Sequence, residues 1–164
     1  MRTKEKLARI LTKTARILPG IGSYQDKESA RESDKKLRDY LSGELTRFME
    51  AIEKLKTDLS RKGTITFLKE LDDLSRQIDT LSRTIHYASR GYAGLFASYQ
   101  ADETSLSGLF EFDRSLKEEI VDLNPLISQI CEKDGGLGSP LLAELRDRLF
   151  RIGQKAQERE TLIS

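Results

Sequence analysis

From Leu41 to Leu59 the apolar residues of this chain fall at Leu41, Leu45, Phe48, Ile52, Leu55 and Leu59, in steps of four, three, four, three and four. That is the heptad spacing that puts one side chain per turn onto a single seam of an α-helix. The residues between them are mostly charged or polar, so the segment has one sticky stripe and a solvated remainder. With Leu37 added and Ser23-x-x-Asp26 as a start signal, the helix runs to about Arg61. It is then about 55 Å long at ~1.5 Å per residue, and too polar on its outside to persist without helices to cover its seam.

The pattern returns along the chain. After Lys62-Gly63, a second seam runs through Phe67, Leu71, Leu74, Ile78, Leu81, Ile85 and Ala88, and Thr64 or Thr66 is its expected cap. Thr64-Ile-Thr-Phe67 is locally strand-like, but the heptad that follows assigns it to the helix. A third stripe holds Leu109, Asp113, Leu116, Ile120 and Leu123. Asn124-Pro125 interrupts it, either as a kink or as a restart in which Asn124 caps the new helix and Pro125 sits in its first turn. Leu126, Ile127, Ile130 and Cys131 continue the apolar face. Ser139-Pro140 opens the last stripe, Leu142, Leu145, Leu149, Ile152 and Ala156. Short joins between long seamed helices predict an all-α fold, an antiparallel up-and-down helical bundle of four long helices.

An extra element precedes the bundle. Residues 1–18 read as a basic amphipathic helix, with Leu7, Ile10, Leu11, Thr14, Ile17 and Leu18 on one stripe, ended by Pro19-Gly20. Arg2, Lys4, Lys6, Arg9, Lys13 and Arg16 stand there against Glu5 alone, leaving 22 basic and 26 acidic residues over the rest. The formal net charge of +1 therefore hides a cationic arm on a mildly acidic body. The expected organisation is that helix followed by one helical-bundle domain over residues 19–164.

Composition bounds what such a chain does. Charged residues make up 34% and hydrophobic ones 37%, and no run approaches the ~18 uncharged apolar residues of a membrane span. Met1 to Pro19 holds no continuous apolar stretch of the secretory kind, so the expected location is cytoplasmic, with peripheral membrane contact through the basic helix as an option. One cysteine, Cys131, allows neither an internal disulfide nor a thiolate zinc cluster, and at a seam it reads as a small apolar residue.

No phosphate-binding Gly-x-x-x-x-Gly-Lys-Ser/Thr loop, dinucleotide-binding Gly-x-Gly-x-x-Gly turn or His-Glu-x-x-His pair occurs in the sequence. The one histidine, His86, has Arg83 three residues before it, where a carboxylate-bridged metal site in a bundle needs glutamate. The expectation is no catalysis, no metal and no cofactor.

Two surfaces are candidates for binding. The first is the cationic set Arg2, Lys4, Lys6, Arg9, Lys13 and Arg16, suited to a protein partner or an anionic membrane. The second is a pocket at the aromatic-rich end, with Arg83, His86, Arg90, Tyr92, Phe96 and Tyr99, which would suit a small-molecule sensor or, as the rival to the non-catalytic reading, an enzyme. A protein partner or a second copy is the expected associate. Nucleic acid is disfavoured by the nearly balanced charge of the long helices.

The run Pro19-Gly-Ile-Gly-Ser-Tyr24, then Lys27-Glu28, Arg31, Asp34-Lys35 and Leu37-Arg38, resembles the opening of a family of uncharacterised bacterial α-helical proteins. Gly91-Tyr-Ala-Gly-Leu-Phe96 and Leu109 to Asp113 resemble it further along. The resemblance implies a bacterial, cytoplasmic helical protein and carries no assigned activity.

Overall fold

The structure, a computed structural model, describes residues 27–88, 103–132 and 138–163, and all regular secondary structure among them is helical. The expected N-terminal helix, its six basic residues and the aromatic stretch from Arg90 to Ala101 lie outside the described residues. The elements are α1 (Lys27–Arg61), α2 (Leu68–Tyr87), α3 (Glu103–Val121), α4 (Leu123–Glu132) and α5 (Ser139–Ile163).

The seams fold as their spacing dictates. Leu41, Leu45, Ile52 and Leu59 of α1 are buried against Leu71, Leu74 and Ile78 of α2, Leu116 and Ile120 of α3, Leu123 and Ile130 of α4, and Leu142 and Leu149 of α5 in one core cluster. Burying side chains of this kind contributes about 1.5–3 kcal/mol each before ordering costs. No described helix is long and apolar enough to cross a membrane.

Two junctions depart from expectation. Helix α2 begins at Leu68, so Thr64-Ile-Thr-Phe67 lies outside it and neither Thr64 nor Thr66 is its cap. Phe67 occupies the cap position without a side-chain hydrogen bond. The preceding helix end takes up those residues. Gly63 is left-handed at φ 72°, Gly63 N–H donates to the Ser60 carbonyl (3.1 Å), and Thr64 N–H donates to that of Leu59 (2.9 Å). This Schellman arrangement commits Thr64 to closing α1, and a turn in which Leu68 N–H donates to the Ile65 carbonyl leads into α2.

The second departure is at Asn124. The chain does restart before Pro125, with Asp122 between α3 and α4 and Pro125 in the first turn of α4. Asn124, however, lies inside α4 and caps backward, its side-chain amide donating to the Val121 carbonyl at 3.0 Å. Val121 is the carbonyl that an N–H at position 125 would meet in an unbroken helix, and proline has none. The asparagine supplies the missing donor.

The helices pack in a ring of neighbours. Between α1 and α2, Lys56 pairs with Asp72, Ser82 Oγ donates to the Ser42 carbonyl, and Arg38 donates to the His86 carbonyl, so residue numbers rise along one helix as they fall along the other. Between α3 and α5, Asp113 pairs with Arg159, Glu119 with Lys155, and the Asp122 carbonyl with Arg148, again in opposing order. Tyr40 meets Lys117 and the Ala51 carbonyl meets Cys131, which sets α1 against α3 and α4. The remaining side of the ring joins α2 to α5.

Candidate functional site

Helices α2 and α5 leave a groove of about 400 Å³ between them. Its α2 wall carries Gln77, Thr80 and Thr84, and its α5 wall carries Phe150, Gly153 and Gln154, residues that recur every three or four positions and so share one face of each helix. Leu81 and Leu149, both part of the core, form the floor. Arg76 alone brings charge to the lining, at one end, and its guanidinium donates to Asp72 one turn away.

Two details give the groove its relief. Phe150 stands 60% exposed at the rim, a large apolar side chain that the core does not use. Three residues on, Gly153 lowers the same wall by one Cβ, which there would sit 4.0 Å from Leu81 Cδ1, in ordinary contact. The groove therefore has a protruding ring at its rim and is framed by amides and hydroxyls that donate and accept without charge.

A different chemistry occupies the region where the start of α1 meets the ends of α2 and α5. Asp113 and Arg159, at 3% and 4% exposure, form a bidentate ion pair inside the core, with Nη2 3.1 Å from Oδ2 and Nε on Oδ1. Lys117, one helical turn after Asp113, is buried as well, its ammonium 5.4 Å from the centre of the Tyr40 ring. Burial pushes that ammonium below the usual lysine range. Arg38, also buried, donates to the His86 carbonyl at 2.7 Å and ties α1 to the last turn of α2.

The sequence-derived candidates are distributed otherwise. Arg2, Lys4, Lys6, Arg9, Lys13 and Arg16 lie outside the described residues, as do Arg90, Tyr92, Phe96 and Tyr99. Arg83 and His86 are described and are not brought together. Arg83 is exposed and its Nε donates to Asp79 at 3.1 Å, whereas His86 Nδ1 lies 3.5 Å from Asp39 on α1. His86 also meets the exposed Tyr87 ring edge-on, at 4.9 Å between centroids. Cys131 is half-buried against the core, where its Sγ reaches the Ala51 carbonyl at 3.8 Å and burial pushes the thiol's pKa up. It stays a protonated packing group at neutral pH.

The buried ion pair carries a sequence signal of its own. Asp113 stands on the third stripe, and Arg159 continues the last one, three residues after Ala156. Charges at two seam positions of different helices are natural partners, because neither tolerates burial alone. The groove's signal is a charge-free stripe on each of two helices, but nothing along the chain says that α2 and α5 are neighbours.

Comparison with known proteins finds no match among protein-family models, curated proteins or solved structures.

Proposed function

We propose that the chain is a bundle of four long helices in two antiparallel pairs, α3 and α4 acting as one, that works as a non-catalytic binding or scaffolding module for a protein partner. The observation that carries this reading is the groove between α2 and α5. An open furrow, uncharged apart from Arg76 at one end and with an exposed phenylalanine at its rim, suits the side chains of another protein better than an enclosed small molecule or a polyanion. The opposing residue order across α1–α2 and α3–α5 supports antiparallel pairing within those two pairs, whereas α1 and the α3–α4 rod, with Tyr40 at Lys117 and Ala51 at Cys131, run the same way.

The basic N-terminal segment adds a second docking element to the same module, for a protein partner or an anionic membrane surface. Its support is the sequence's concentration of cations in residues 1–16. The cytoplasmic, bacterial setting implied by the family resemblance belongs to this reading as well.

A photo-crosslinking residue at Gln154, in the groove, compared with one at the exposed Lys54 of α1, tests the docking face in cells that make the protein. The reading expects a defined protein adduct from position 154 and none from position 54; equal or absent adducts at the two sites overturn it. Flotation with vesicles containing phosphatidylserine, comparing the full chain with one carrying glutamine at Lys4, Lys6, Arg9 and Lys13, tests the basic arm. Retention of lipid binding in the neutralised chain removes the arm from the proposal.

A further inference from the structure

We infer that the turn between α1 and α2 is a docking point for an anionic bilayer, a convex apolar and cationic tip that enters the headgroup layer with Ile65 at its apex. The inference stands apart from the groove, and it is separate from the basic segment, which joins the chain at the opposite end of α1.

A single exposed aliphatic side chain is ordinary on a protein surface. Ile65 is set apart by its place and its company. It belongs to no helix and continues no seam, and at 73% it is as exposed as Tyr87 and more so than Phe150. Phe67 and Leu68 follow it, half-buried against the core, so three of the four residues 65–68 are apolar. Around them, residues 59–69 carry Arg61, Lys62 and Lys69, all exposed, and no carboxylate. Asp58 and Glu70 bound that run from the helices behind it, and Arg61 lies 3.9 Å from Asp58.

The backbone fixes the apex. Gly63 and Thr64 N–H donate back into α1, and the Ile65 carbonyl accepts from Leu68 N–H at 3.2 Å, so Ile65 stands between two closed turns. The amides of Ile65, Thr66 and Phe67 take no part in these bonds. Oxygen acceptors outside the chain can meet them, as the phosphates of a headgroup layer do.

That combination selects the partner. An anionic leaflet presents phosphates and carboxylates outermost and hydrocarbon beneath. Lysine and arginine reach the outer layer on long stems while an apolar side chain beside them sits deeper, which is the order in which this tip carries its groups. A bilayer also moulds itself to a convex apex, where a rigid protein must supply a cleft of matching shape. Each cation near an anionic leaflet strengthens binding about fivefold, and burying Ile65 adds about tenfold.

The test is an environment-sensitive dye on an Ile65→Cys full-length chain carrying Cys131→Ser. Its emission should shift to the blue with vesicles of phosphatidylserine and phosphatidylcholine, and stay put with phosphatidylcholine alone; dye on a Lys54→Cys counterpart should move with neither. In flotation, Ile65→Ser should weaken binding about tenfold, and Arg61→Gln with Lys62→Gln and Lys69→Gln at least as much. All four positions are exposed, so circular dichroism and the unfolding midpoint should stay near the parent values. The shift should also persist in a chain with glutamine at Lys4, Lys6, Arg9 and Lys13. A dye that does not move at position 65, a shift lost with those four charges, or flotation indifferent to every tip substitution overturns the proposal. So does a position-65 photo-adduct to another protein in a chain whose dye ignores vesicles. Flotation that is lost on neutralising the basic segment and untouched by the tip variants removes the tip alone and leaves the membrane reading of that segment standing.

Discussion

Where α1 ends and α2 begins, the core is closed by Leu55, Leu59, Leu71 and Leu74, and the charges lie outside it: Lys56 reaches Asp72 and Glu53 across the surface. Where α1 begins and α2 ends, the wall is reversed, and Asp113, Arg159, Lys117 and Arg38 are themselves buried. The same residue types thus do two kinds of work in one fold. On the outside they are solvated and screened, and each pair contributes little. Inside, an ion pair does not add stability over a well-packed apolar pair; it raises the cost of any arrangement that separates its members. Apolar seams tolerate sliding by a heptad, whereas a slide of α5 that carried Arg159 away from Asp113 would leave both charges buried without each other.

That contrast is open to experiment. The largest effect belongs to Asp113→Ala, which leaves the Arg159 charge buried without its carboxylate and should cost about 3–5 kcal/mol in urea unfolding. Replacing both members, Asp113→Leu with Arg159→Met, should restore the parent stability or exceed it. If the double variant is as unstable as the single one, the pair is not the organising feature of that end. Leu74→Ala, at the apolar end, comes next at about 3 kcal/mol, because it removes packing and opens a cavity without stranding a charge. Its cost should persist in every background, with none of the rescue seen for the ion pair.

The smallest effect separates the ends by pH. Lys117 has a lowered pKa in the folded chain, so between that value and the usual 10.5 the unfolded chain binds more protons than the folded one. Stability from this group should therefore rise as pH climbs through that interval, and Lys117→Met should remove the rise. Outside the core the sign differs. Hydrogen bonds from Lys56 and Arg76 hold the Asp72 carboxyl below its ordinary value, a contribution present above that value and lost as pH falls through the lowered one. Measuring unfolding midpoints from pH 3 to 11 in parent, Lys117→Met and Asp72→Asn chains reads both.

These differences also explain what the sequence makes legible. The seams were readable because heptad spacing is local and repeated, and Leu41 to Leu59 needs no knowledge of its partners. Thr64 and Thr66 misled because a cap competes with the helix end before it, and the left-handed Gly63 draws Thr64 backward into α1. At Asn124 the side-chain amide serves the Val121 carbonyl behind it, which Pro125 leaves without a backbone donor, instead of the helix ahead. Arg83 and His86 looked joined at a spacing of three, yet each found its carboxylate on a different helix, Asp79 on α2 and Asp39 on α1. The groove belongs to neighbours distant in sequence, and only the packed helices bring its two halves together.

The repair at the α3–α4 junction has a chemical sequel. Asparagine usually ages by attack of the next residue's backbone nitrogen on its side-chain amide, closing a five-membered imide that later hydrolyses to aspartate. At Asn124 that nitrogen belongs to Pro125 and carries no hydrogen, so this route is closed even though the residue is exposed. The proline that deprives Val121 of its donor thereby also closes the commonest route by which the amide that replaces it would be lost.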